Sequence, residues 1–304
     1  MAIIGTGNLP KSLLPGVNAW VGGSYAQYPM EYEQIFKSYN SAKNYEQDVT
    51  LGPTGLLQVK PEGQAIHYDD FKQGFVKNYT HVVYASGFII TREEMDDNQY
   101  AELAQKRSEM LGRSARITKE QLAANVLNRA FNNTYLGADG LELCSTLHLL
   151  EKGGTYQNEL TTAADLSEAA IEQACIDIAA LKDGANKTIM AQPRKLIVPA
   201  ALQFEAERIL FSALQNDTAN NAINALQSKR MLPEGYAVNH FLTDADAWFI
   251  LTDIPDGLKH FQRDALQVSN DTPEFETENM KFKVRERYVF GWTDPRGIFG
   301  SPGA

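Results

Sequence analysis

The chain has 304 residues, 43% hydrophobic and 22% charged, enough apolar material for one large or two ordinary domains, and this excludes global disorder. Its formal net charge of −10 argues against a general nucleic-acid binder, which would present a basic face. Two cysteines, Cys144 and Cys175, cannot make a disulfide framework, and no stretch approaches the roughly 18 apolar residues of a membrane span.

The first residues, MAIIGTGNLPKSLLPG, lack the basic start and unbroken apolar core of a secretory signal, so a reducing cytoplasm is the expected setting. Asn78-Tyr79-Thr80 and Asn216-Asp217-Thr218 then read as Asn-rich loops rather than glycan acceptors. Residues 1–48 read as an arm. Pro10, Pro15, Pro29 and five glycines break it, while Trp20, Tyr25, Tyr28, Tyr32, Phe36, Tyr39 and Tyr45 recur along it. Such a segment cannot bury much against itself, so its aromatics are expected to pack on the body or on a neighbour, with one short helix at about 32–38. Removing residues 1–30 should leave the subunit folded.

Residues 49–90 carry strand-like runs separated by Gly52-Pro53 and Pro61-Glu62-Gly63, which predicts a long hairpin leading into a more buried strand at 82–90. Thr91 with Glu94 is a capping-box pair that opens a helix, and Gly112 reads as its stop. Thr118 with Gln121 caps a second helix with Leu122, Val126, Leu127, Ala130 and Phe131 on one face. From about 165 the pattern turns α/β. Asp165-Leu166-Ser167-Glu168 starts a helix, 194–198 is a strand covered on both faces, and Pro199 opens a helix through Leu214. An Asn-rich linker at 216–224, a strand at 247–253, a turn at Pro255-Asp256-Gly257 and a charged strand at 275–290 complete an α+β chain.

Candidate chemistry is sparse. Ile3-Ile4-Gly5-Thr6-Gly7 lacks the third small residue and the helix that a dinucleotide site needs. Cys144 and His148 stand four apart, but in a segment that reads as an irregular loop. Asp244 and Asp246 read as a turn before Trp248, the histidines have no ligand spacing, and Glu205 and Glu207 face different ways on a helix. Lys281, Lys283, Arg285, Glu286 and Arg287 read as charges meeting partners across a sheet or a subunit boundary. No catalytic residue, metal or cofactor is expected.

The order of segments resembles the major capsid proteins of tailed bacteriophages, the Hong Kong phage capsid fold, and is most similar to the Mu-like major head subunit group. The likeness rests on the aromatic arm and hairpin before the helix at 92–111 and on Ala138-Asp139-Gly140-Leu141 leading to Leu147-His148. It rests also on Pro193–Pro199 followed by Leu202–Leu214, and on the stretch from Thr277 to Gly297 with its Trp and Asp-Pro-Arg-Gly ending.

The resemblance implies an arm (1–48), an extended hairpin loop (49–90), a peripheral domain with a long spine helix (91–165 and 266–290) and an axial α/β domain (166–265 and 291–304). It also implies self-assembly into pentamers and hexamers of an icosahedral shell, in the virion, around double-stranded DNA bound without sequence specificity. Assembly would take place in the host cytoplasm, without a membrane, and with separate scaffolding, portal and possible decoration proteins. The expected contacts between subunits are Trp20, Tyr25, Tyr28, Pro61, Glu62, Arg285 and Arg287. A cargo-enclosing shell of the encapsulin type and a soluble α/β enzyme are the alternatives.

Overall fold

In the computed structural model of the chain, the residues described are 9–52, 55–68, 73–91, 93–94, 100–151, 153–215, 222–270 and 279–304. In chain order the helices are α1 (Leu9–Ala26), α2 (Tyr100–Asn128), α3 (Glu168–Ala179), α4 (Gln203–Phe211) and α5 (Ala225–Lys229). The strands are β1 (Lys37–Asn40), β2 (Tyr45–Leu51), β3 (Gln73–Thr80), β4 (Val82–Ile90), β5 (His148–Leu149), β6 (Thr155–Tyr156), β7 (Pro193–Pro199), β8 (Tyr236–Asn239), β9 (Trp248–Thr252), β10 (Leu258–Asn270), β11 (Met280–Trp292) and β12 (Ile298–Ser301).

Two four-stranded sheets organise the molecule, in the orders β1-β10-β11-β4 and β12-β9-β7-β8. In the first, β11 alternates strictly. Met280, Phe282, Val284, Glu286 and Tyr288 are buried on one face, and Lys281, Lys283 and Arg285 are exposed on the other. The buried face meets α1 and α2 in a core that includes Val17, Val21, Ala104, Leu111, Met280 and Phe282. The second sheet has Leu196, Ile197 and Val198 fully buried on β7, as a near-continuous apolar run predicts. It packs on α3 and α4. Ser167 caps α3 by accepting from the Ala170 amide at 3.2 Å.

Three expectations are corrected. The arm is not an unstructured excursion: residues 9–26 form α1, which docks on α2 of the same chain. Pro10 sits in the first turn, where a missing N–H is tolerated. Burial of Val17, Val21 and Ser24 on one side outweighs the weak propensity of the rest. The helix foreseen at 32–38 is a single 3₁₀ turn, Tyr32–Gln34, followed by β1.

The two helices foreseen on either side of Gly112 are one. α2 runs unbroken through Gly112, and the Thr118 hydroxyl donates to the Ser114 carbonyl at 2.8 Å instead of capping a helix. Gly112 is a crossing point, since a Cβ there would stand 2.5 Å from the Val21 carbonyl oxygen. The capping box does form, with Thr91 and Glu94 bonding reciprocally at 3.3 Å. Met95, Asp96, Asp97 and Gln99 lie outside the described residues. So do most of the linker at 216–224 and residues 275–278 of the foreseen terminal strand.

β2 and β3 form the stem of a hairpin that starts at Tyr45, while β4 leaves it to join the first sheet beside β11. After β11 the tail folds inward, and β12 pairs with β9 with Phe299 fully buried. The Asp294 carboxylate accepts from the Arg296 amide at 3.0 Å and so shapes the Asp-Pro-Arg-Gly turn. Asn158, fully buried, donates to the carbonyls of Leu143, Pro295 and Ile298 and fixes this turn to the body.

Candidate intersubunit surfaces

The best-defined polar site is a buried hub beneath α1. Glu286, on the covered face of β11, accepts from Lys119 Nζ at 2.7 Å, Gln262 Nε2 at 3.1 Å and the Tyr25 hydroxyl at 3.2 Å. Arg116, one turn before Lys119, is 1% exposed. Its Nε donates to the Tyr25 carbonyl at 3.0 Å, its guanidinium lies 3.9 Å from the Tyr25 ring centroid, and its two terminal nitrogens have no partner. Glu120 accepts the Tyr32 amide at 3.0 Å, and burial pushes its carboxyl up to about 7. Burial, helped by the Lys119 charge, pushes His260 down to about 3. The neutral ring stacks on Phe290 with centroids 4.5 Å apart. This arrangement holds α1, α2, β10 and β11 together.

Of the expected contact residues, Tyr25 and Trp20 are engaged within the chain, Tyr25 at the hub and Trp20 against the core under α1. Tyr28 is exposed, with the Arg113 guanidinium 5.5 Å from its ring. Pro61 and Glu62 sit in an exposed turn at the hairpin tip, where the Gln64 amide donates to the Pro61 carbonyl at 3.2 Å. Arg285 reaches Asp264 at 3.4 Å and Arg287 reaches Asn44 at 2.6 Å, both on the sheet face away from the hub. The structure therefore unites Tyr25 with the terminal strand through Glu286. It leaves Pro61 and Glu62 apart from both.

The tip carries the two most exposed large apolar side chains described, Leu57 at 102% and Val59 at 94%, and Leu56, Ile66 and Tyr68 beside them are exposed too. By contrast, Cys144 is fully buried and its thiol is pushed up by that burial, so it is no nucleophile. His148 Nδ1 is bound to Asp139 at 2.6 Å, which joins the two ends of the 138–148 segment. Asp244 accepts the Asp246 amide at 3.1 Å, as a turn requires. Among the described residues no cluster of three or more His, Cys, Asp or Glu is placed to hold a metal ion. The Gly5 and Gly7 stretch lies outside the described residues.

A family model described as phage capsid protein matches residues 75–300. No curated protein matches the chain. Among solved structures, the procapsid of bacteriophage JBD30 is similar at 16% identity and a TM-score of 0.54, over 96% of this chain and 74% of that one. The mature capsid of bacteriophage PhiM1 is similar at 12% identity and a TM-score of 0.55, over 90% and 87%. A virus-like particle from Pyrococcus furiosus is similar at 12% identity and a TM-score of 0.50, over 94% and 98%. At these identities the solved structures speak for the fold.

Proposed function

This chain belongs to the phage capsid protein family, and we propose that its copies build the pentamers and hexamers of an icosahedral head around double-stranded DNA. It is a structural shell protein and not an enzyme. The observation that carries the assembly reading is the hairpin tip. A chain with a well-filled core leaves Leu56, Leu57 and Val59 almost wholly in water on a long projection. Burying each large apolar side chain contributes roughly 1.5–3 kcal/mol. Such a surface is expected to be covered by another copy, and many weak contacts of this kind close a shell through multivalency.

In this reading the peripheral domain (91–165 and 266–290) contains α2 and most of β11, and the axial domain (166–265 and 291–304) contains the second sheet. The hairpin lies across a neighbour. Placement in the Mu-like group, assembly in the host cytoplasm, and separate scaffolding, portal and decoration partners belong to the same proposal. Expression of the chain alone or with its scaffold, followed by sucrose-gradient sedimentation and electron microscopy, tests it. Closed shells or capsomer rings are the expected products. A small, non-closing oligomer under all assembly conditions would sink the reading.

A further inference from the structure

A cavity of about 410 Å³ opens beside the C-terminal half of α2, where that helix, the hairpin stem and the end of β11 meet. Lys77 of β3, Tyr84 of β4, Asn125, Arg129, Tyr135 and Trp292 are among its walls. Its volume falls in the range of ligand sites, about 300–1,000 Å³. No carboxylate lines it, although the whole chain carries a net charge of −10.

The side chains that converge on it are donors with bonds to spare. Lys77 Nζ donates to the Leu136 carbonyl at 3.0 Å and stands 4.9 Å from the Trp292 ring centroid. Burial pulls the Lys77 ammonium below its ordinary value, and the one acid that acts on it, Asp139, is committed to His148 at 2.6 Å. The Arg129 guanidinium lies 4.2 Å from the Tyr135 ring centroid and has no ion pair with the described residues. Both cations therefore rest on aromatic faces, which hold them in place without neutralising them. Asn125 accepts from Asn128 Nδ2 at 3.4 Å, so its own amide hydrogens have no acceptor among the described residues. Trp292 is 8% exposed, and its Nε1 has no partner. A Cβ on Gly137 would stand 3.0 Å from that nitrogen, so glycine there keeps the approach open.

Unspent donors among aromatic walls suit an anion that carries a ring. The place in the fold narrows its chemistry. Arg129 directly follows the last residue of α2, and a helix C-terminus disfavours the multiply charged phosphates that helix N-termini hold. A nucleic-acid duplex keeps its bases stacked and has no ring to offer unless one is flipped out. An extended peptide with carboxylates on either side of an aromatic residue meets both conditions. Each carboxylate takes one cation in charge-assisted hydrogen bonds, and the ring packs among Tyr84, Tyr135 and Trp292.

We propose that this cavity is the receptor for an acidic peptide segment of a partner protein, its aromatic side chain inside and its carboxylates on Lys77 and Arg129. Such an occupant would tie β3, at the root of the hairpin, to the end of α2 and so set the angle at which the hairpin leaves the body. The inference goes beyond the shell reading and does not rest on it.

The probe is a blocked peptide of four glutamates around one fluorinated phenylalanine, titrated with the full unassembled chain and followed by fluorine NMR. Saturable binding with a Kd of about 1 mM or tighter is expected, weakening as salt is added. Lys77→Gln and Arg129→Gln should each weaken it about tenfold while the chain melts within a few degrees of the unsubstituted one. Alanine in place of the ring, or lysines in place of the glutamates, should abolish it. A photoreactive phenylalanine at the same place in the peptide locates the contact even if a variant is unstable, and its cross-links should map to residues 122–136 or 288–292. No saturable binding, equal binding of the lysine peptide, undiminished affinity in both folded variants, or cross-links elsewhere would each overturn the proposal. Displacement of the peptide by a lower concentration of adenosine triphosphate would make the cavity a nucleotide site instead. Loss of peptide binding in particles formed by this chain alone would assign the cavity to a second copy. A chain that fails to form shells yet binds the peptide would remove the shell reading and leave the receptor standing.

Discussion

Glu286 shows what one residue can reveal. A carboxylate in a core must be matched by donors, and here Lys119, Gln262 and Tyr25 supply them from three elements. Removing one partner of a buried pair leaves the other charge uncompensated, at about 3–5 kcal/mol. Lys119→Met should therefore lower unfolding free energy in urea by about 3–5 kcal/mol, and adding Glu286→Leu should recover much of the loss. Glu120 gives a pH signature. Its folded-state value of about 7 lies above the ordinary 4.5, so the folded chain holds an extra proton between those values and loses stability as pH rises through them. Glu120→Gln has no such proton, and its stability relative to the unsubstituted chain should climb between pH ~5 and ~8. A flat difference across that range would mean Glu120 is not held protonated. Arg285 and Arg287 belong to the outer face, and with partners at 3.4 Å and 2.6 Å each arginine contributes about 0–1 kcal/mol to the subunit. Alanine at either position should shift melting by a few degrees while costing far more in particle yield on a gradient. Part of this site is legible in the sequence, since strand alternation puts Glu286 on the face opposite Arg285 and Arg287. The hub escaped because Arg116, Lys119 and Glu120 form no motif that sets them apart from ordinary helix charges. The available signal was their phase, since they share a helix face with the buried Ala123 and Leu127.

Among the elements, α1 and α2 depart furthest from their sequence reading, for one reason. Proline and glycine counts measure local propensity, and helices in proteins are held chiefly by what they pack against. In sequence Gly112 looks like a helix end. In the fold it is where two backbones meet, and the two cases make opposite predictions. At an open helix position Gly→Ala adds roughly 0.5–1 kcal/mol of stability. Here the added methyl would press on the Val21 carbonyl, so Gly112→Ala should destabilise by about 1–3 kcal/mol and speed proteolysis of 9–26. Deletion of residues 1–30 should likewise unfold or strongly weaken the subunit by circular dichroism, because α1 covers Leu111, Met280 and Phe282. The strands were more legible. β7, β9 and the Asp-Pro-Arg-Gly turn stand where the apolar runs and turn residues put them. β10 was overlooked because two register shifts interrupt its alternation.

For the whole molecule, segment order was the readable quantity, and it was enough for the fold. A hairpin, a long helix, a doubly covered strand with its helix and a terminal strand ending in a tight turn recur here in the expected succession. What could not be read was which segments bury one another, because the pairings span most of the chain. One expectation now acts at this scale. Cleavage between about Leu57 and Gln64 should be rapid in free subunits and strongly slowed in assembled particles; equal rates would remove the hairpin from the contact between copies.

The pairing of β1 with β10, parallel and some 220 residues apart, and of β4 with β11 has a consequence in time. The middle of the first sheet is made from residues 258–292, so neither β1 nor β4 has a partner until almost the whole chain has been synthesised. β7, β8 and β9 are complete by residue 252 and can fold first on the ribosome, leaving α1, β1, β4 and α2 waiting. Closing such long loops is slow. During that wait the uncharged β4 has both edges unpaired, which makes the interval between residue 90 and residue 280 the period when a nascent chain is most open to wrong pairing and most in need of a chaperone.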